Sequence, residues 1–232
     1  MFIGVIGATG RIGSRVVAEA LSRGHHVTAF SRDTGHVDVA HPNLTWKDLD
    51  VFDSAAVTAV LPGLDLLVSC YQPSNAARDF GDTVARSVAD PTVYATVANS
   101  LLAALATHPR TRLIVVGGAG SLEREPGSVA ADAPDLEESL ERIGIPREYA
   151  VAVRGHWAAL DVLRTSNRRW TYFSPAAEIG PGDRTGRFRI GTDQQILDAA
   201  GRSHISMEDA AVALLDEAEL PQFVQRRFTA GY

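Results

Sequence analysis

The sequence predicts an α/β protein built on one doubly wound parallel sheet. Short apolar segments alternate with helix-like segments along the whole chain, the pattern of parallel strands joined by crossover helices. The first strand runs straight into a glycine-punctuated turn and an amphipathic helix. No repeat, low-complexity tract or linker divides the 232 residues, a length that suits one domain over 1–232.

The opening strand is the apolar run Phe2 to Ile6. Gly7, Gly10 and Gly13 follow at G-x-x-G-x-x-G spacing, and Ile12, Val16, Val17, Ala20 and Leu21 then recur with the period of a helix. Each glycine has its own task. Gly7 permits the tight turn, Gly10 lets the backbone approach a pyrophosphate, and Gly13 lets the helix pack on the strand, so that free N–H groups of the first helical turn face the phosphates. The implied ligand is a dinucleotide.

After the Arg23-Gly24-His25 turn, His26 to Ser31 reads as a second strand, and Leu44-Thr45-Trp46 as a third. A helix is expected from Ser54 to Leu61, stopped by Pro62-Gly63, and a fourth strand from Leu66 to Cys70. Asp79 to His108 carries one or two helices with a break near Asp90-Pro91. Leu113 to Val116 is a buried strand closed by Gly117-Gly118-Ala119-Gly120. Ser121 to Asp135 lacks periodicity and reads as a surface loop, a candidate lid. Pro146 to Ser166 is expected to be helical, Trp170 to Ser174 a sixth strand, and Pro175 to Asp193 irregular. Ser206 to Glu219 reads as a helix with Ser206 as N-cap and Asp209 completing a capping box, before a last short strand at Arg227-Phe228-Thr229.

Composition narrows the class of function. Hydrophobic residues make up 45% and charged residues 22%, ordinary for a globular chain, and no apolar run approaches the roughly 20 residues that cross a bilayer. Phe2 to Ile6 is too short for the core of a secretion signal, so the expected location is the cytoplasm. Cys70 is the only cysteine, which excludes an internal disulfide and a cysteine-based metal cluster. The seven histidines show no ligand spacing, and no metal is expected. A net charge of −6 argues against nucleic acid as a partner and for a small molecule, with a monomer slightly favoured.

In dinucleotide folds the tip of the second strand meets the adenosine ribose, where an acidic side chain takes the 2′-OH of NAD and arginine accommodates the 2′-phosphate of NADP. Here the tip is Ser31-Arg32, which favours NADP, while Asp33 one place later leaves NAD possible.

These residues, together with Asp50-Val51-Phe52-Asp53, Val115 to Ser121, Ser174-Pro175-Ala176, Pro181 to Gly186, Ile205 to Asp209 and Arg227 to Tyr232, resemble the short-chain dehydrogenase/reductase superfamily. Within it the chain is most similar to the atypical NmrA-like group, which includes NAD(P)H-flavin reductases. The resemblance spans nearly the whole chain. It implies a Rossmann fold with small C-terminal elements on the substrate side, Asp50 and the Val51 backbone at the adenine, and Thr9, Arg11 and Ile12 facing the phosphates. It further implies that Ser69, Cys70 and Tyr71 lie along the cofactor, with Gly117 beside it and Pro175 near the nicotinamide carboxamide.

Typical members of the superfamily use Tyr-x-x-x-Lys on a helix, the ammonium lowering the tyrosine pKa for proton transfer. This chain departs from that pattern. Its tyrosines are Tyr71, Tyr94, Tyr149, Tyr172 and Tyr232, and none has lysine four residues on; all but Lys47 of the 22 basic residues are arginine. Tyr149 holds the tyrosine position with Val153 in place of lysine, which makes Tyr149 the candidate catalytic residue and an ordinary phenol near its usual pKa. Hydride transfer to a flavin or another small conjugated acceptor tolerates this loss, because the proton can come from water. The alternatives are an NADP-binding regulatory or sensor protein without turnover, or a non-redox isomerase or cyclase. Ser121 stands in the region of the superfamily's serine, and Arg184, Arg187 and Arg189 are candidates to grip an anionic group.

Overall fold

β-Branched and aromatic residues shape the central strands, and glycines, prolines and Asx turns end them. The computed structural model describes residues 1–74 and 79–232. Its first half runs β1 (Phe2–Ile6), α1 (Arg11–Ser22), β2 (His26–Ser31), β3 (Leu44–Asp48), α2 (Ser54–Val60), β4 (Leu66–Ser69), α3 (Phe80–Ala89), α4 (Val93–Leu105) and β5 (Arg112–Val116). The second half adds β6 (Glu123–Glu125), β7 (Ser128–Val129), α5 (Leu136–Arg142), α6 (Ala150–Arg164), β8 (Trp170–Phe173), β9 (Glu178–Gly180), β10 (Arg189–Gly191), β11 (His204–Ser206), α7 (Met207–Glu219) and β12 (Arg226–Gly231).

Eight strands form one sheet in the order β10-β12-β8-β5-β4-β1-β2-β3. All neighbours in it pair in parallel except the edge pair β10 and β12. The strand order reverses between β1 and β4, and in such sheets ligands bind in the crevice beyond the carboxyl ends at that switch point. The α/β class with a doubly wound parallel sheet is therefore as expected.

A wholly buried layer covers each face. Val16, Val17 and Ala20 of α1 pack with Ala211, Leu214 and Leu215 of α7 against Ile3, Val5, Val68 and Phe228. On the other face Val57, Val97, Leu101, Leu160 and Leu163 pack against Leu67, Leu113 and Tyr172. Area burial of this kind, worth about 1.5–3 kcal/mol per large aliphatic or aromatic side chain, holds the strand ends in register.

The break at Asp90-Pro91 separates α3 from α4, and Asp79 caps α3 by accepting from the Asp82 N–H at 3.0 Å. Three expectations need correction. The stretch 121–135 is not a plain loop, because a hairpin of β6 and β7 turns at Gly127, whose φ is +80°, and a 3-10 turn follows. α5 has no counterpart among the helices the sequence pattern predicts. The 175–193 stretch contributes β9, which pairs with β11, and β10, so it is more ordered than its proline and glycine content suggests.

The cap of α7 is half as expected. Ser206 Oγ accepts from the Asp209 N–H at 2.9 Å, but the Asp209 carboxylate does not reach back to the Ser206 N–H. That carboxylate, wholly buried, accepts instead from the Thr185 and Gly186 N–H groups at 2.8 Å each and from the hydroxyls of Thr185 and Tyr232. One side chain thereby ties the 175–193 segment and the last residue to the start of α7.

Candidate nucleotide and acceptor site

The turn after β1 is the centre of the site. Gly7 has φ +71°, and the Gly10 N–H donates to the Gly7 carbonyl at 2.9 Å, closing the tight turn. A Cβ on Gly7 would stand 2.5 Å from the Cys70 carbonyl oxygen, and one on Gly13 would stand 2.1 Å from the Gly7 carbonyl oxygen. Those two positions admit only glycine if α1 is to start against the sheet. α1 begins at Gly10 with no side-chain cap and no acidic residue in its first turn, so its leading N–H groups are left to an anion. Thr9, Gly10, Arg11 and Ile12 line the cleft above the turn, whereas Gly13 is buried beneath it.

The cleft has a volume of about 2300 Å³ and runs from the tips of β2 and β3 across the switch point to the tips of β5 and β8. At the β2 end Ser31 and Arg32 line it, and Thr9 Oγ1 lies 3.3 Å from Ser31 Oγ, joining the phosphate turn to the strand tip. Among the described residues no carboxylate within ion-pair distance compensates Arg32 or Arg11. Asp33 lines the cleft as well, its Oδ1 accepting from the Gly35 N–H at 2.9 Å and its Oδ2 standing 3.6 Å from His36 Nδ1. The loop after β2 is pinned by Asp48, whose Oδ1 accepts from both the N–H and the hydroxyl of Thr34.

Asp50 and Val51 line the adjoining wall. One Asp50 oxygen accepts from the Phe52 N–H at 3.0 Å in an Asx turn, leaving the other uncommitted among the described residues. The cap of α2 is Asp53, which accepts from the N–H groups of Ala55 and Ala56. The Val51 carbonyl accepts from Ser100 Oγ at 2.7 Å, so its N–H is the group left for a ring nitrogen.

Beyond the switch point, Cys70 and Tyr71 after β4, Gly117 after β5 and Pro175 after β8 all line the cleft. Ser69 does not. It is wholly buried in β4 and faces a small cavity behind the sheet, lined also by Tyr94, Val97 and Ala159. The reason is the two-residue alternation of a strand: Val68 and Cys70 face the α1 side, Leu67 and Ser69 the other. Burial pushes the Cys70 thiol up to about 12, so it is no nucleophile at neutral pH. Gly117 has a steric reason to be glycine, since a Cβ there would stand 1.9 Å from the Tyr172 ring.

Tyr149 ends a 3-10 turn, Arg147–Tyr149, that leads into α6, and its ring lies 5.1 Å from that of Phe80. It lines the cleft. Its phenol differs from the ordinary one expected, because burial raises its pKa, and Val153 supplies no charge to offset that. We expect Tyr149→Phe to slow turnover less than tenfold, against the roughly 10²- to 10⁴-fold loss that marks a general acid. Steady-state rates with NADPH affinity measured alongside check this.

Sequence reasoning passed over a polar group on the same wall. His156 of α6 is buried, its ring 3.9 Å from that of Tyr94, and burial pushes its pKa down to about 4, so the imidazole is neutral. Its Nε2 lies 3.4 Å from Gln72 Nε2, and the Tyr94 O–H donates to Gln72 Oε1 at 2.9 Å. Gln72 and His156 both line the cleft.

Other candidates lie elsewhere. Ser121 is wholly buried and bonded to Ser174 Oγ at 2.6 Å, a tie between β8 and the β5 turn. Arg184 is fixed by both oxygens of Glu19 at 2.7 Å, Arg189 donates to the carbonyls of Leu197 and Tyr232, and neither these two nor Arg187 lines the cleft. The segment between β4 and α3 includes residues 75–78, which lie outside the described residues. The walls described come from 119–120, α5 and the segment around β9 and β11.

This geometry is that of a dinucleotide-binding protein of Rossmann type, and comparison with known proteins agrees. Residues 7–219 match the model of an NAD(P)H-binding family, and the chain belongs to that family. It is 32% identical over 231 residues to the "Uncharacterized protein YwnB" of Bacillus subtilis, covering 99% of this chain and 97% of that one. Among solved structures it is similar to a "Putative exported protein" from Burkholderia pseudomallei, at 39% identity and TM-score 0.80 with both chains covered in full. It is also similar to a "putative NADH-flavin reductase" from Streptococcus pneumoniae, at 28% identity and TM-score 0.81, covering 100% of this chain and 99% of that one. No helix among the described residues is long and apolar enough to cross a membrane.

Proposed function

We propose that the protein is an NADPH-dependent reductase that passes hydride to a flavin or another small conjugated acceptor. The observation that carries this reading is one continuous cleft with an uncapped helix start at its middle, Ser31 and Arg32 at one end, and Tyr71, Gly117 and Pro175 at the other. The residues fit the cofactor. The first turn of α1 with Thr9 to Ile12 would hold the pyrophosphate, Arg32 the 2′-phosphate, Asp50 and the Val51 N–H the adenine, and Pro175 and Gly117 the nicotinamide end. When bound, NADPH supplies the hydride.

What the chain itself supplies is orientation and exclusion of water. Tyr71, Tyr149 and Leu140 offer apolar surface on which a planar acceptor can lie against the nicotinamide half, where close positioning replaces bimolecular encounter. Neither Tyr149, its pKa raised, nor neutral His156 is a ready acid at pH 7, and a solvent proton suffices for an acceptor whose charge is delocalised. The flavin-reductase name of the pneumococcal relative supports this reading. We further propose that the protein acts in the cytoplasm on a small molecule, with neither nucleic acid nor membrane as partner.

Cofactor titrations test the reading. Charge-assisted hydrogen bonds are worth about 1.5–3 kcal/mol, so Arg32→Ala should weaken NADPH by roughly 10- to 100-fold and NADH by less than threefold. Equal losses for both cofactors would reduce Arg32 to a surface residue and return Asp33 and NAD to consideration.

A further inference from the structure

We propose that the Gln72 carboxamide is the electrophile of the acceptor half: one of its N–H groups hydrogen-bonds the carbonyl oxygen of a quinone, enone or isoalloxazine-type acceptor and stabilises the charge that hydride addition puts there. This role rests on the reductase reading. It supplies what the chain lacks through the loss of Tyr-x-x-x-Lys.

Three observations support it. The position is right: Gln72 lies three residues beyond β4, and with Gly118 after β5 and Pro175 after β8 it rings the part of the cleft on the far side of the switch point from Arg32. The side chain is held at both ends. Pro73 and Ser74, which follow it, are buried, and Ser74 Oγ lies 2.5 Å from Thr83 Oγ1 of α3. The carboxamide is gripped by the Tyr94 O–H on its oxygen and by His156 Nε2 beside its nitrogen, and Tyr94 is backed by Ser87 Oγ at 3.3 Å. Finally, among the described residues the donor inventory leaves a proton over. A carboxamide carries two N–H groups, and a neutral imidazole nitrogen can take only one of them. The remaining N–H belongs to a half-buried side chain lining the cleft.

The step balances. The hydride, which NADPH would supply from its nicotinamide C–H bond, forms a C–H bond at the β carbon of an enone or quinone, or an N–H bond at N5 of an isoalloxazine. The π pair moves onto the conjugated carbonyl oxygen as an enolate-type anion, shared with N1 in the isoalloxazine. The acceptor gains two electrons and NADPH loses two. The oxygen accepts the Gln72 N–H bond throughout, and water supplies the proton afterwards. A fixed neutral donor in a partly dry cleft suits this task because it needs no reorganisation as charge develops.

The test uses the full chain with NADP⁺ or NADPH and two variants. Gln72→Leu removes the donor, and Gln72→Glu keeps the length and can still accept from Tyr94 but sets a negative charge where the donor stood. We expect kcat/KM for carbonyl acceptors to fall about 10²-fold in Gln72→Leu and further in Gln72→Glu, with NADPH affinity within error of the parent in both. The melting temperature should fall in Gln72→Leu, which strands the buried Tyr94 hydroxyl, more than in Gln72→Glu, which still accepts from it. A purely structural role predicts the opposite order, glutamate being the milder change. A second readout needs no turnover: 4-nitrophenol bound to the protein–NADP⁺ complex should ionise at lower pH than in water, an effect lost in Gln72→Leu and reversed in Gln72→Glu. Turnover by Gln72→Leu within threefold of the parent, or nitrophenol ionisation alike in all three proteins, overturns this role and leaves the reductase reading standing. Absence of NADPH oxidation by the parent with every carbonyl acceptor overturns both.

Discussion

Gly10→Val is expected to abolish cofactor binding, weakening NADPH by at least about 10³-fold, while the fold stays intact. Gly10 has φ −78°, a conformation open to any residue, and a Cβ there meets only the Gly7 carbonyl oxygen, at 3.1 Å. The rest of the valine side chain would project into the space over the uncapped N–H groups where the pyrophosphate must come, the close approach a dinucleotide turn requires. Isothermal titration with NADPH, beside thermal melting, checks the two halves of the expectation. The control is Gly13→Ala, whose Cβ would fall 2.1 Å from backbone, so that it should lose binding and stability together.

The second large effect is on stability. Asp209→Ala should cost about 3–5 kcal/mol, because several neutral donors lose their acceptor at once and each stranded group costs about 1–3 kcal/mol, and lower the melting temperature by roughly 10 °C. It would strand the N–H groups of Thr185 and Gly186 and the hydroxyls of Thr185 and Tyr232 at the end of the cleft. Burial alone would raise the Asp209 pKa, but these hydrogen bonds more than offset it and hold the carboxyl below the usual range. A carboxyl whose folded pKa is depressed contributes stability that is present above its unfolded value, near pH 4, and is lost as pH falls through the folded value. Melting followed from pH 7 into that range should therefore show a shallower acid decline for Asp209→Asn than for the parent.

Legibility followed locality. The phosphate turn could be read because Gly7, Gly10 and Gly13 act within seven residues, and the central strands because their apolar runs are buried on both faces. α5 and β11 escaped because such short elements draw their stability from packing, Leu136 and Leu140 against Val153 in one case and the pairing with β9 in the other. The placing of Ser69 at the cofactor ignored a legible signal, the alternation that sends Ser69 and Leu67 to one face and Cys70 and Val68 to the other. Nothing local marks the group of Gln72, Tyr94 and His156, which the packing of α4 against α6 assembles from positions far apart in the chain. Arg184 reads as a free cation in sequence because Glu19, its partner, is 165 residues away.

The central claim is that this cleft moves hydride from NADPH to a conjugated acceptor. Its most direct measurement is an anaerobic single turnover in which protein, NADPH and riboflavin or a simple quinone are mixed and both absorbance bands are followed. The account predicts loss of the reduced nicotinamide band in step with reduction of the acceptor, one equivalent each, and no such reaction in Gly10→Val. NADPH that binds to the parent protein but stays reduced across flavins, quinones and enones would contradict it and leave a cofactor-binding protein without hydride transfer.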